Sequence, residues 1–548
     1  MIGVACRSGQ EHAVEEFFEL FKTPWEAFAG NGNHEVVITT DPGIEVPPAK
    51  LTIVFGSSAT RFDLQEGIFP LSREEQVEFE WIGLRVPIYR MLAAFPGAAD
   101  PILPTREGKS VGVVREQSGR TILRIGYDLF DEVDHLLQRG QPAEKAQIPT
   151  MDLHIAMLRS WILRAGIPVA EIPPVPFGYD FATCLTHDID FMGIRDHKFD
   201  HSMFGFIYRS LVPKYLKGLD RKTALARYWK NLRAVISLPL VHAGIIPDFW
   251  YPLDRYAQVE EGLKSTFFFI PFPNRHGKAS AGDAPRYRAA RYDVARYREP
   301  IRSLVQGGLE ADLHGIDSWR DSKAGREELE AIRGITGEEK IGVRMHWLYH
   351  SDETPSRLEE AGFYFDSSLG YNEAVGYRNG TSQVFRLPGT AGVFELPLHL
   401  QDTAMFYPGR MNLTEPQAMA LCRRLVDNFK EHGGVFTINW HDRSLAPERN
   451  WDVAYKQLLG MLRMQRTWFA TAKEAVAWFE MRRSLRFGPS GIAGGVPEVK
   501  MGPVGPAKGP AATLRMYSHA GPWRDGGSLP YRFTEYPLDA GEERAIGC

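Results

Sequence analysis

The chain has 548 residues, of which 44% are hydrophobic, 24% charged and 12% aromatic, and its formal net charge at pH 7 is −4. That length favours two or three domains whose cores need no covalent staples, and the aromatic content excludes a wholly disordered chain. The near balance of charge supplies no overall electrostatic reason to bind nucleic acid, which is excluded as a partner class.

The opening residues Met1–Arg7 reach a charge too soon for a secretory apolar segment. The longest uncharged apolar stretch, about Ala234 to Pro247, is too short to span a bilayer and contains Pro239 and His242. A cytoplasmic protein is expected. Cys6, Cys184, Cys422 and Cys548 stand far apart without a C-x-x-C pair, so neither a disulfide scaffold nor a zinc finger is suggested.

Residues 1–145 read as a small α/β domain. Glu35–Thr40, Leu51–Gly56, Ser110–Val114 and Thr121–Tyr127 are short β-branched runs, with a hairpin turn at Ser118-Gly119. Helical periodicity follows at Leu129–Leu137 and Leu153–Leu163. Gly30-Asn31-Gly32 lacks the third glycine of a dinucleotide loop and reads as a surface loop. Residues 146–177 then form a helix and a linker stiffened by Pro173-Pro174-Val175-Pro176.

From 178 to 485 short apolar strands alternate with helices. They are Ala182–Thr186, Ser265–Ile270, Ala311–His314, Ile341–Arg344, Gly362–Asp366, Val393–Pro397, Val435–Trp440 and Trp468–Ala470. This pattern argues for a parallel sheet covered on both faces, open or closed into a barrel. Residues 486–548 become rich in Gly and Pro, and a flexible tail is expected there.

Polar side chains gather where the strands end. Asp188 and Asp190 follow the first, His314 ends a middle strand, Arg344 and His346 close the next, and His441 follows a late one. Taken singly, the aspartates read as helix caps, the histidines as half-buried core residues and Arg344 as half of a structural ion pair. Their order is the signal, because carboxyl ends of parallel strands share one face, where ligands bind.

These segments resemble the NodB-homology polysaccharide deacetylases, carbohydrate esterase family four. Asp188-Ile189-Asp190 is similar to the family's first motif and Ser265–Phe269 to its next strand. His314 is similar to the first half of the second motif, Arg344 to the arginine of the third, and Trp440-His441 to the fifth. Gly362–Ser368, Glu395-Leu396-Pro397 and Trp468–Glu474 also resemble stretches common in the family. The resemblance covers about residues 178–485, with an insertion at about 192–260. It implies a distorted (β/α) barrel, TIM-like and of the NodB type, preceded by the smaller α/β domain.

The resemblance further implies a metal-dependent hydrolase that removes an N-acetyl or similar acyl group from an amino sugar or polysaccharide precursor. One divalent ion, expected to be zinc with cobalt or nickel as alternatives, would be held by Asp190 and His314. Where the family has its second metal histidine this chain has Ser318, preceded by Asp317. His346 is the expected third ligand and Asp317 its competitor. Arg344–Leu348 resembles an Arg-x-His-Tyr-Leu pattern of a divergent branch found in surface-polysaccharide gene clusters. Asp188 would act as general base, His441 as general acid and Arg344 as the group that orients Asp188. Asp402 is the first candidate to steady His441, with Glu395 second.

The insertion carries Arg209, Lys214, Lys217, Arg221, Lys222, Arg227, Lys230 and Arg233 against Asp220, interleaved with Tyr215, Tyr228 and Trp229. A solvated helical face is the first reading. A dock for a phosphate-bearing or lipid-linked saccharide at a membrane surface is the second. Other function classes remain in play: a saccharide-binding pseudoenzyme of the same fold, and a non-haem iron enzyme using a 2-His-1-carboxylate set. A serine hydrolase is the least favoured class.

Overall fold

The computed structural model describes the chain except for residues 31–33, 46–47, 75–76, 97–100, 118, 213–220, 489–498, 501–508, 519–530 and 539–548. It divides into two compact units, one of residues 1–177, 378–385 and 477–548 and the other of residues 178–377 and 386–476.

The first unit is built on a seven-stranded sheet. Its order is Trp25–Ala27, Ile2–Ala5, Val36–Thr39, Leu51–Phe55, Arg120–Ile125, Ser110–Gln117 and Pro101–Pro104. The first five strands pair in parallel, and the last two pairings of the path are antiparallel. Leu51 and Ile53 are fully buried, as a parallel strand covered on both faces requires. The expected loop at Gly30–Gly32 falls mainly on residues outside those described.

One ion pair anchors the sheet to the helix that follows Leu51–Phe55. Arg124 donates from Nε to Asp63 Oδ1 at 2.9 Å and from Nη2 to Oδ2 at 2.9 Å, with both side chains fully buried. Asp63 also accepts from the backbone N–H of Thr60, while Thr60 Oγ1 accepts from that of Asp63, closing a capping box on the helix Arg61–Glu66. Asp63→Ala strands a buried guanidinium and is expected to cost about 3–5 kcal/mol. Hydrogen exchange of the Arg120–Ile125 amides measures it; unchanged protection contradicts it.

Three segments of this unit depart from the expected boundaries. The helix Thr150–Arg164 is part of the compact unit rather than of a linker. Arg378–Phe385, read as belonging to the barrel, packs here: Thr381 Oγ1, Ser382 N–H and Ser382 Oγ all donate to the buried Asp152 carboxylate at 2.8–2.9 Å. The expected flexible tail contains the strands Ala512–Ser518 and Arg532–Leu538, which form a sheet with Val169–Glu171. Ala512, Leu514 and Tyr517 are buried there, so non-local pairing overrides the Gly/Pro-rich composition around them. Much of the remaining tail lies outside the described residues.

The second unit holds a parallel sheet in the order Phe394–Glu395, Phe365–Asp366, Gly342–Met345, Glu310–Gly315, Ser265–Phe269, Phe181–Ile189, Val435–Asn439 and Leu400–Gln401. Thr467–Phe469 shares the long Phe181–Ile189 strand with Ser265–Phe269, pairing with its first residues. The path is open at its ends among the described strands, and the sheet forms a curled half-barrel. All nine residues of Phe181–Ile189 are buried, which makes it the central stave.

The insertion forms the helices His201–Leu211, Arg221–His242 and Pro252–Val259. Met203, Phe206, Leu238, Val241 and Trp250 make a core of their own, shared with Ala446. Arg227 pairs with Glu415, and Lys230 lies 3.4 Å from Asp452. Lys214, Tyr215, Lys217 and Asp220 lie outside the described residues. No described helix is long and apolar enough to cross a membrane.

Candidate metal and acid-base site

Alternation along the central strand sends Thr186, Asp188 and Asp190 to one face. His187 points away, with Nδ1 2.9 Å from the Trp440 carbonyl and Nε2 3.0 Å from Glu260, and takes no part in the site. His314 is in register with Arg344 on the adjoining strand. His346 begins the single turn that follows. His441 stands two residues past the end of the Val435–Asn439 strand. Residues from four strand ends are thus brought to one cleft of about 230 Å³.

Three ligand atoms crowd together within it. Asp190 Oδ1 is 3.1 Å from His346 Nδ1 and 3.4 Å from His314 Nε2, and the two ring nitrogens are 2.9 Å apart. Tetrahedral bonds of about 2.1 Å would separate their ligand atoms by about 3.4 Å, close to this triangle. His314 Nδ1 lies 2.9 Å from the Arg344 carbonyl. A carbonyl only accepts, so that nitrogen carries a proton, and Nε2 is the atom turned toward Asp190 and His346.

His346 is pushed down to about 4, first by burial and against the pull of Asp190, which leaves its ring neutral as a ligand must be. Arg288 holds the backbone beneath it, donating from Nη2 to the His346 carbonyl at 2.8 Å. Buried Asp190 Oδ1 has no hydrogen-bond partner of its own. Two imidazoles and a carboxylate with an orphaned oxygen form a donor set that fits one divalent ion. Asp317, the competing ligand, is outside this group; its Oδ1 accepts from the Lys278 N–H at 2.9 Å.

Asp188 is fixed from two sides. Arg344 Nη1 donates to its Oδ1 at 3.1 Å, and Asn439 Nδ2 donates to its Oδ2 at 2.7 Å. Arg344 is fully buried and also donates to Thr186 Oγ1, the Ser367 carbonyl and Ser367 Oγ. Burial alone would raise the Asp188 carboxyl, but His314, Arg344 and His441 outweigh it and hold it below the ordinary range.

Across the cleft His441 Nδ1 donates to Asp402 Oδ1 at 2.6 Å, while Asp402 Oδ2 accepts from the His441 N–H at 2.8 Å and from Ser444 Oγ. His441 Nε2 sits 4.0 Å from Asp188 Oδ2. Burial would depress the imidazole, yet Asp402 foremost, with Asp188 and Asp190, pushes it up to about 10. The site therefore holds an ionised carboxylate and a protonated imidazole side by side at neutral pH.

Asp402 rather than Glu395 meets His441; Glu395 Oε1 accepts instead from the Leu369 N–H at 2.9 Å. Sequence reasoning missed Asn439, Thr186, Ser367 and Ser444. Two of these had a readable signal, since Asn439 and Thr186 stand two residues before His441 and Asp188 and so share their faces. Trp347 and Leu348, which line the cleft, have φ of +67° and +56°, a strained turn that follows directly on His346.

No family model matches the sequence, and no curated protein matches it. Among solved structures the chain is similar to one assigned as a polysaccharide deacetylase from Mycobacterium smegmatis, with 19% identity over 56% of this chain and 93% of the other and a TM-score of 0.35. It is similar to Agd3, described as a carbohydrate deacetylase, with 9% identity over 98% of each chain and a TM-score of 0.35. It is also similar to a CE4 family pseudoenzyme from Bacillus anthracis, with 11% identity over 55% of this chain and 69% of the other and a TM-score of 0.26.

Proposed function

We propose that the chain is a metal-dependent hydrolase that removes an N-acetyl or similar acyl group from an amino sugar or polysaccharide precursor. The curled sheet is read as the distorted barrel of the NodB-type deacetylases. The observation that carries the reading is the joint presence of the Asp190–His314–His346 triangle and an acid-base pair of opposite protonation, Asp188 and His441, in one cleft.

A divalent ion, with zinc suiting a His₂Asp donor set, supplies polarisation of the acyl carbonyl and acidification of a water molecule. Asp188 accepts the proton of the attacking water, aimed by Arg344 and Asn439. His441 delivers the proton that the departing nitrogen needs, because expelling an amide nitrogen as an anion is prohibitive. Asp402 fixes the ring so that Nε2 faces the cleft. Trp347, which lines the cleft, offers a flat face suited to the C–H side of a sugar ring.

A 2-His-1-carboxylate iron centre would use the same triangle but would leave the Asp188–Arg344 and His441–Asp402 pairs without a task. Elemental analysis of purified protein, combined with acetate release from N-acetylated sugar oligomers, tests the reading. About one divalent ion per chain and released acetate are expected. Bound ion with oxygen uptake, or tight glycan binding with no acyl release, would overturn it.

The alkaline side of the pH profile follows from His441. With its pKa raised to about 10, the acid form is present below that value and is lost as pH rises through it. Asp402→Asn removes the chief cause of the rise. The alkaline limb of kcat/KM is then expected to move toward the ordinary imidazole range near 6.5, with kcat falling about a hundredfold or more. A limb that stays in place would separate Asp402 from that role.

A further inference from the structure

The cleft has a second chemical character that hydrolysis does not use. Arg410, Arg443 and Arg449 line it together with the triangle and the acid-base pair. Arg449 Nη2 donates to Tyr407 Oη at 2.6 Å, and its guanidinium lies 4.7 Å from the Tyr407 ring centre; that of Arg410 lies 5.5 Å from the same ring. Arg443 stacks on Phe191 at 3.7 Å and on Trp250 at 4.8 Å.

Among the described residues, no carboxylate lies within 4.0 Å of any of these three guanidinium groups. Glu448, the nearby acid, is buried and accepts from Trp250 Nε1 at 3.3 Å. Arg410 Nη1 is shielded from solvent without a hydrogen-bond partner. The rings fix the planes of the three cations while leaving donor edges unused.

We propose that Arg410, Arg443 and Arg449 form a subsite for an oxyanion, phosphate or carboxylate, carried by the acylated sugar. This rests on the proposed function and narrows it to anionic saccharides. Guanidinium forks match both oxyanions bidentately, and stacking pre-pays their ordering. Arg209 is pushed down to about 10, chiefly by burial and further by Arg449 and Arg443, like charges packed near it. Such packing is relieved when an anion arrives.

Calorimetric titration of the full chain with methyl phosphate, with glucuronate and with uncharged N-acetylglucosamine tests this, repeated on Arg410→Gln and Arg449→Gln. At least one anion is expected to bind, with affinity falling about tenfold or more in each variant and falling as salt is added. Among the described residues the Arg410 side chain stacks on the Tyr407 ring and makes no ion pair, so its variant keeps the test valid should Arg449→Gln fold poorly. Methyl phosphate alone binding assigns a phosphorylated or diphosphate-linked sugar; glucuronate alone assigns a uronate-bearing one.

Equal affinity in wild type and variants would put the anion on the ion site and overturn the proposal, as would binding of neither anion. Acetate release without anion binding removes the subsite and leaves the hydrolase. Arginine-dependent anion binding without acyl release keeps the subsite and removes the hydrolase.

Discussion

Asp188→Asn is expected to lower kcat about a thousandfold, or about 4 kcal/mol of barrier, with the content of divalent ion unchanged. The amide keeps the shape of the carboxylate and can still accept from Arg344 Nη1, but it takes no proton from water. Folding should survive, because the buried guanidinium retains Thr186 Oγ1, the Ser367 carbonyl and Ser367 Oγ as acceptors. Single-turnover acetate release, measured beside metal analysis, separates the outcomes. A variant that keeps more than about a tenth of wild-type turnover excludes Asp188 as the base, since base catalysis is worth about a hundredfold or more. A variant that loses its ion would instead make Asp188 part of the ion's support.

The second large effect concerns the third ligand. His346→Ala is expected to abolish stoichiometric ion binding at micromolar metal and to reduce turnover by at least about a hundredfold, since two protein ligands hold a catalytic ion poorly. Asp317→Asn should leave the ion content unaltered, because Asp317 spends its Oδ1 on the Lys278 backbone. Elemental analysis of the two purified variants decides between them. The converse result, with ion lost from the Asp317 variant and kept in the His346 variant, would exchange their roles. Restoring activity to chelated wild-type protein, but not to the His346 variant, by added zinc or cobalt gives an independent check.

The site was more legible in sequence than the units that hold it. Asp188, Asp190, His314, Arg344, His346 and His441 each close an apolar strand, and strand polarity alone sends their ends to one face. His346 could be preferred over Asp317 because it stands two residues past Arg344, at the same rim. Asn439 and Thr186 escaped notice because a neutral residue inside an apolar run looks like filler until its neighbour two places on is known to be chemical.

The boundaries were less legible because they depend on partners remote in sequence. Arg378–Phe385 reads as a polar loop, yet Asn379, Thr381, Ser382 and Gln383 are all buried. Asp152, more than two hundred residues earlier, accepts from Thr381 and Ser382, and Asn379 donates to the Leu136 and Leu137 carbonyls. Ala512–Ser518 likewise carries too little local pattern to announce a strand that pairs with Val169–Glu171. Composition describes a neighbourhood in sequence, whereas these segments are fixed by neighbours in space.

The way the chain is threaded bears on how the molecule is made. Arg482 is fully buried and donates to the carbonyls of Leu20 and Ile172, and Arg483 clasps Glu16 at 2.7 Å. During synthesis those early carbonyls and that early carboxylate emerge more than three hundred residues before the arginines that satisfy them. The unit that leaves the ribosome first is therefore completed last, after the sheet of the second unit already has all its staves.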